Sequence, residues 1–368
     1  MFNSILPVLS LLVASIGLQD NPVPTLTSVV ETAVAADTVP GVSIALVQAD
    51  GSAHTAVAGV AELHGSAVTP DTRFLAGSIG KTFAAVIAAQ LSLEGQLDLD
   101  ASISTWLADR PWFARLRNAD RITLRHLLNH SAGIPDYLES EGFNSADPER
   151  GERGFTPDEI IDYVADDTPS GEPGQHYAYS DTHFILVGLI LESVTGERYG
   201  DLVRERVIEP LDLADTQVLE GRGYDNLASG HQRGPSGGLA PTASDGRLNR
   251  NYDYEWAAGG IVSSPTDLAR FYLALGGDQL ANERTVMMAD ANPISLERQI
   301  YYGLGVFVTH YPDNAFRLFH GGDFAGYRSA VVYDSRTGFA IAIQANSKAF
   351  DAPGVVLQLN AALVNEGL

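Results

Sequence analysis

From Thr82 to Leu93 the chain carries no charged residue, and the run is dominated by Ala, Leu, Ile, Val and Phe. A helix written this way is apolar nearly all round and must be buried. Its approach reads Phe74-Leu75-Ala76-Gly77-Ser78-Ile79-Gly80-Lys81-Thr82-Phe83, and the helical segment, Ser78 to about Leu93, closes at Glu94-Gly95. Ser78 and Lys81 stand three apart in its first turn, on one face and within reach of each other. A serine is a poor nucleophile until a neighbour takes its proton. A lysine can do so if burial and the positive end of a helix favour its neutral form. The competing reading is a capping serine beside a solvated lysine. Burial argues against it, because an unpaired lysine on a core helix is costly. Lys81 is one of only two lysines, the other being Lys348. The pair therefore requires partners from elsewhere in the chain.

At 368 residues the chain is long enough for one large domain or two interleaved ones. Its net charge of −23 argues against nucleic-acid and anionic-membrane partners. With no cysteine, disulfides, thiolate metal sites and cysteine catalysis are all excluded. The apolar run Ile5–Val13, followed by Ala14-Ser15-Ile16-Gly17, has the length of a signal-peptide core and is too short for a membrane span. Residues 1–17 are read as a signal peptide despite the missing basic start, which predicts a periplasmic or secreted protein. No later segment is long and apolar enough to cross a bilayer.

Taken in order, the patterning predicts a helix over 24–36, strands over 41–47 and 55–60, and the buried helix. Helical and loop-rich sequence follows, including 97–107 and the stretch Thr123 to Pro135. Asp136 to Arg153 is polar and charged and reads as an exposed loop or flap. Helices are expected from Thr156, over 183–194, over 199–208 and over 265–275, with glycine-rich loop across 221–254. Strands return at 303–308, 316–320, 327–333 and 339–345, before a helix over 354–364. Strands at both ends with helices between suggest an antiparallel sheet built from the two ends, with a helical region inserted.

Three separated pieces then match one family. Ser78-Ile79-Gly80-Lys81 looks like its Ser-x-x-Lys motif, Tyr179-Ser180-Asp181 resembles its Tyr-x-Asn motif, and His320-Gly321-Gly322 is similar to its Lys-Thr-Gly or His-x-Gly motif. Connecting segments such as Leu127–Ile134, Pro210–Leu213 and Gly259–Ser264 agree. The chain resembles a serine hydrolase of the β-lactamase and penicillin-binding-protein superfamily. Within it, the nearest branch holds class C β-lactamases, D-Ala-D-Ala carboxypeptidases, D-aminopeptidases and related esterases.

The resemblance implies an α+β, β-lactamase/transpeptidase-like fold in which an antiparallel sheet flanked by helices carries an inserted all-helical domain. The α/β part would cover about 23–95 and 255–368, and the helical part about 96–254. It also implies an acyl-enzyme mechanism without metal or organic cofactor, acting on a small-molecule or peptide substrate. Ser78 would attack a carbonyl carbon, Lys81 and Tyr179 would exchange protons with it, and the N–H groups of Ser78 and Asp323 would hold the oxyanion. His320 would line the substrate side opposite Tyr179, with Gly321 and Gly322 letting substrate backbone approach. Free lysine and tyrosine both titrate near about 10, so one must be shifted to act as base.

Two positions depart from the family pattern. Asp181 replaces the expected Asn; it still accepts from Lys81 but favours the charged lysine and loses an amide donor. His320 in place of lysine weakens the positive charge that would anchor a substrate carboxylate. Both favour a peptidase or esterase over a β-lactamase. Other classes fare worse. Gly80-Lys81-Thr82 ends like a P-loop, but Leu75 stands where its first glycine belongs. Ala76-Gly77-Ser78-Ile79-Gly80 approaches the α/β-hydrolase elbow without a suitable strand before it. His126 and His130 have metal-like spacing without the glutamate of a zinc helix and read as structural. A non-catalytic binding module keeping the fold is the remaining alternative.

Overall fold

The computed structural model describes residues 22–150, 152–234 and 237–366. The N-terminal segment read as a signal peptide lies outside them. Five helices and eight strands frame the site: α1 (Val23–Val34), β1 (Gly41–Val47), β2 (Ala53–Gly59), α2 (Gly80–Leu93), α3 (Asp181–Thr195), α4 (Pro265–Gly276), β3 (Asn292–Ser295), β4 (Ile300–Tyr302), β5 (Phe307–His310), β6 (Phe316–Phe324), β7 (Tyr327–Asp334), β8 (Phe339–Ala345) and α5 (Ala352–Glu366). The strands form one sheet in the order β3-β4-β5-β6-β7-β8-β1-β2, with the N-terminal hairpin docked on β8. Every neighbouring pair is antiparallel.

All seven residues of β1 are buried, because both faces of the sheet are covered there. α1 and α5 close one face around Leu26, Val30, Ile44, Ile343 and Leu359. α4 packs on β1, β7 and β8 from the other. β2, the end strand, is only half-buried, with Ala56 alone enclosed.

α2 is the buried helix that its sequence demands: Gly80 to Ala89 and Leu91 are all enclosed. It packs against α3, the turn Trp256–Gly259 and the helix Ala281–Met288. Phe83 lies against Phe271 of α4 with ring centroids 4.1 Å apart. The one buried hydroxyl, Thr82 Oγ1, donates to Gly305 O at 2.8 Å and lies 2.9 Å from Tyr272 OH, so it is satisfied inside the core.

Several expectations are corrected. α2 does not begin at Ser78; a 3₁₀ turn, Gly77–Ile79, precedes it, because Gly77 is left-handed (φ +56) and redirects the chain. Regular helix in 97–107 is confined to Ser104–Leu107. The supposed flap 136–153 is a 3₁₀ turn, Tyr137–Glu139, followed by a helix, Glu141–Arg150. Tyr137 and Phe143 anchor it in the core, their rings 4.9 Å apart, with Phe143 5.2 Å from Tyr254. Of the expected strand over 303–308, Phe307 and Val308 open β5, while 303–306 form the turn between β4 and β5, with Gly305 at φ +67 and Gly303 N–H bonded to Val306 O at 2.8 Å.

Phe83→Ala removes a fully buried ring at the junction of α2 and α4. A loss of about 3–5 kcal/mol is expected from a cavity of that size. Urea unfolding should show it as a lower midpoint at unchanged slope. A loss below about 1 kcal/mol would contradict this packing.

Candidate active site

The 3₁₀ turn Gly77–Ile79 sits directly against β6, and two glycines make that approach possible. A Cβ on Gly322 would lie 1.9 Å from Ala76 O, and one on Gly77 would lie 3.1 Å from Asp323 N. Gly322 thus makes room for the protein's own backbone, and Gly321 faces Pro353 at the head of α5. Both glycines also line the cleft beside Ser78. The turn leaves Ser78 partly accessible while Gly77, Ile79 and Lys81 are buried.

Lys81 Nζ is completely enclosed and donates in three directions. It bonds to Ser78 Oγ at 3.1 Å, to the Ala258 carbonyl at 2.6 Å and to the Asp181 carboxylate. The two rear acceptors fix the amine, and the third direction points along the Ser78 Oγ line. A proton can pass along that line either way. Asp181 is placed at the head of α3, where the helix dipole also favours a carboxylate.

Tyr179 comes from the loop before α3. Its hydroxyl is hydrogen-bonded to Ser78, and its ring lies with its centroid 5.0 Å from Lys81 Nζ. That loop is stitched to the stretch after Leu128. Ser170 N–H bonds to Gly133 O and Gly174 N–H to Ser131 O, each at 2.9 Å. Ser180 Oγ and Thr182 Oγ1 both donate to Pro135 O, at 3.2 and 2.8 Å. The stretch 130–137 therefore acts as a template for the Tyr179-Ser180-Asp181 motif.

His320, Gly321, Gly322 and Asp323 lie on β6. β5 pairs with β6 only as far as Phe319, and among the described residues no strand pairs with His320–Phe324 on that side. This open edge borders a cleft of about 410 Å³ that Ser78, Tyr179, His320 and Asp323 share with the apolar side chains Phe307 and Phe319. His320 Nδ1 lies 2.7 Å from Gly321 O, and its Nε2 lies 3.0 Å from Tyr302 OH. Nδ1 then carries the proton and Nε2 accepts from the phenol. Burial lowers the His320 pKa to about 3, so the ring is neutral.

Three residues that the sequence did not single out shape the electrostatics. Asp136 accepts from Asp181 N–H at 3.2 Å and from Leu138 N–H at 3.0 Å. Burial and the neighbouring Asp181 raise its pKa to about 6. Glu255 is fully buried, and desolvation, reinforced by Asp181, pushes it well above the usual carboxylate range. Tyr302 links His320 to the aromatic wall around Tyr179. Burial, then Asp181, also pushes the Tyr179 phenol well above 10, so it stands as a proton donor. The two histidines with metal-like spacing diverge: the His126 ring accepts from Thr123 N–H at 3.2 Å in a capping box, while His130 is buried against Tyr179.

The Asp136 shift gives a signed expectation. Between its ordinary range and pH of about 6 the folded protein keeps a proton that the unfolded chain has lost. Folding stability must therefore fall as pH rises through that window. Asp136→Asn lacks this term, so its melting temperature should gain on the wild type between pH 4 and pH 7. A gap that does not change with pH would contradict a raised Asp136.

Comparison with known proteins places this geometry in context. A D-stereospecific amidohydrolase from Streptomyces sp. superposes with a TM-score of 0.78 at 29% identity, covering 91% of this chain and 97% of that one. D-amino acid amidase from Ochrobactrum anthropi SV3 also superposes with a TM-score of 0.78, at 26% identity and 93% and 98% coverage. Among curated sequences, Penicillin-binding protein 4 of Amycolatopsis lactamdurans is 33% identical over 186 residues, 49% of this chain and 45% of its own length. The chain spans 57% and 59% of the length of two further curated relatives, so it covers less than two thirds of each of these proteins. The sequence model of the Beta-lactamase family matches residues 26–366, nearly the whole described chain, and the protein accordingly belongs to that family, within the superfamily of serine hydrolases that includes the penicillin-binding proteins.

Proposed function

We propose that the protein is a serine hydrolase that cleaves an amide or ester bond through an acyl-enzyme on Ser78. The observation that carries this reading is the pairing of Ser78 Oγ with both Lys81 Nζ, at 3.1 Å, and the Tyr179 hydroxyl. Attack by Ser78 Oγ on the carbonyl carbon forms the tetrahedral adduct as the serine proton passes to Lys81 in its amine form, reached when Lys81 gives a proton to the Asp181 carboxylate. Tyr179, held as a phenol, hands a proton to the leaving group and is restored by the proton that Lys81 took from Ser78. In deacylation water follows the same route in reverse. The N–H groups of Ser78 and Asp323 are the donors for the oxyanion. Because the surroundings are dry, each such hydrogen bond counts for more than it would in water.

Charge supports an amidase, aminopeptidase or esterase over a carboxypeptidase or β-lactamase. A substrate carboxylate needs a free cation, and among the described residues the cleft offers none uncommitted. His320 is neutral, while Arg328 and Lys348 both face Asp323, at 3.0 and 3.8 Å. The carboxylates at the site are Asp181, on Lys81, and Asp323, on the edge of the cleft, which suits an uncharged or amine-bearing substrate. The D-amino acid amidase and D-stereospecific amidohydrolase of similar fold point the same way. Phe307 and Phe319 favour an apolar side chain on it. The apolar N-terminal run supports export, so we place the enzyme in the periplasm or outside the cell.

The test is peptide mapping by mass spectrometry after brief exposure to a nitrophenyl ester, followed by turnover of paired substrates. An acyl group is expected on the Ser78 peptide, with turnover lost at least about 10³-fold in Ser78→Ala. D-phenylalanine amide should be cleaved at least tenfold better, by kcat/KM, than a D-Ala-D-Ala peptide. Near-normal activity in Ser78→Ala would sink the mechanism, and the reverse preference would sink the substrate class.

A further inference from the structure

His130 is fully buried and left-handed (φ +57), although it is not a glycine. That conformation costs a non-glycine residue about 1–3 kcal/mol, a strain that persists where the surroundings enforce it. The contacts that enforce it converge on Tyr179. The His130 carbonyl accepts from Ala178 N–H at 2.7 Å. Its Nδ1 accepts from Ser180 N–H at 3.3 Å. Its ring lies on the ring of Tyr179, centroids 4.1 Å apart and 35° between planes. The residues immediately before and after Tyr179 are thus tied to one histidine, and the tyrosine between them stacks on it.

The imidazole is set for this task. With Nδ1 accepting from Ser180, its proton resides on Nε2, and His183 Nδ1, 3.1 Å away, is the donor of that pair. Nε2 has no protein partner among the described residues, so the ring contributes its Nδ1 lone pair and its face. Tyr302 packs against both rings, 4.8 Å from that of His130 and 6.2 Å from that of Tyr179.

We propose that His130 is a positioning residue that holds the Tyr179 hydroxyl over Ser78, by clamping the backbone on both sides of Tyr179 and stacking on its ring. It touches neither substrate nor the reacting atoms and acts only through Tyr179. The inference rests on the reading of Tyr179 as a participant in proton transfer.

The experiment is a double-mutant cycle in ester and amide turnover, with His130→Asn, Tyr179→Phe and the pair together. Asparagine tolerates the left-handed conformation and can still accept from Ser180 N–H, but brings no ring. His130→Asn is expected to lower kcat about 10–100-fold with KM changed less than threefold. In the Tyr179→Phe background the same change should alter kcat less than threefold, because no hydroxyl remains to be placed. His130→Phe, which keeps a ring and loses the acceptor, is read in the same cycle if the Asn variant does not melt cooperatively. A kcat within threefold of wild type, or a fall that multiplies fully with that of Tyr179→Phe, overturns the proposal. If Tyr179→Phe alone is as active as wild type, the proton-transfer role of Tyr179 fails instead, and the two failures are distinguishable.

Discussion

The ammonium of Lys81 is the point on which the site, and much of the packing around it, depends. A charge with no exposure to solvent must find its full set of partners inside the protein. Beside Ser78 in the adjoining turn, its partners come from two distant stretches: the head of α3 at Asp181 and the carbonyl of Ala258. Each must arrive in register or the charge is stranded, so this one requirement ties the strand-bearing chain ends to the helical middle. A hydrophobic residue of similar volume would satisfy the core as well or better. Retention of the lysine is therefore explained by chemistry.

Around that charge the protein suppresses others. Burial holds Glu255 and Tyr179 protonated and His320 neutral. The groups nearest Ser78 are thus mostly uncharged polar groups of fixed orientation. That is a suitable medium for a reaction whose charge appears only briefly, on the oxyanion. Dipoles already in place need not reorganise when it forms. Asp136, raised to about 6, changes state a little below neutrality.

Much of this was legible in the sequence, for identifiable reasons. The uncharged run after Lys81 forces burial of α2 whatever it packs against, and the three motifs carry their chemistry in short local spacings. The apolar runs of β1, β7 and β8 announce a doubly covered sheet. Other features lie in tertiary placement. Any residue offers a carbonyl, so nothing marked Ala258. Asp136 and Glu255 look like surface acids until the fold encloses them. The stretch 136–153 was read as a flap from its charges, whereas Tyr137 and Phe143 decide its fate by reaching the aromatic core. Gly303–Val308 alternates like a strand, yet Gly305 turns the chain there. His130 was weighed only as a metal ligand or a core histidine, because a clamp on residues about fifty positions away has no local signature.

The open edge of β6 has a second consequence. From His320 to Phe324 it has no strand partner on that side among the described residues, and such an edge is a template for any extended segment, including a strand from another copy of the same chain. Ser78 lies at that edge, so the edge cannot be capped by a further strand without closing the cleft. Protection has to come from elsewhere. Asp323 places a carboxylate on the exposed strand, and the net charge of −23 makes like copies repel before their edges can meet. The acidity of the whole chain can thus be understood as colloidal protection for a strand that must stay accessible, and raising the ionic strength would weaken that protection first.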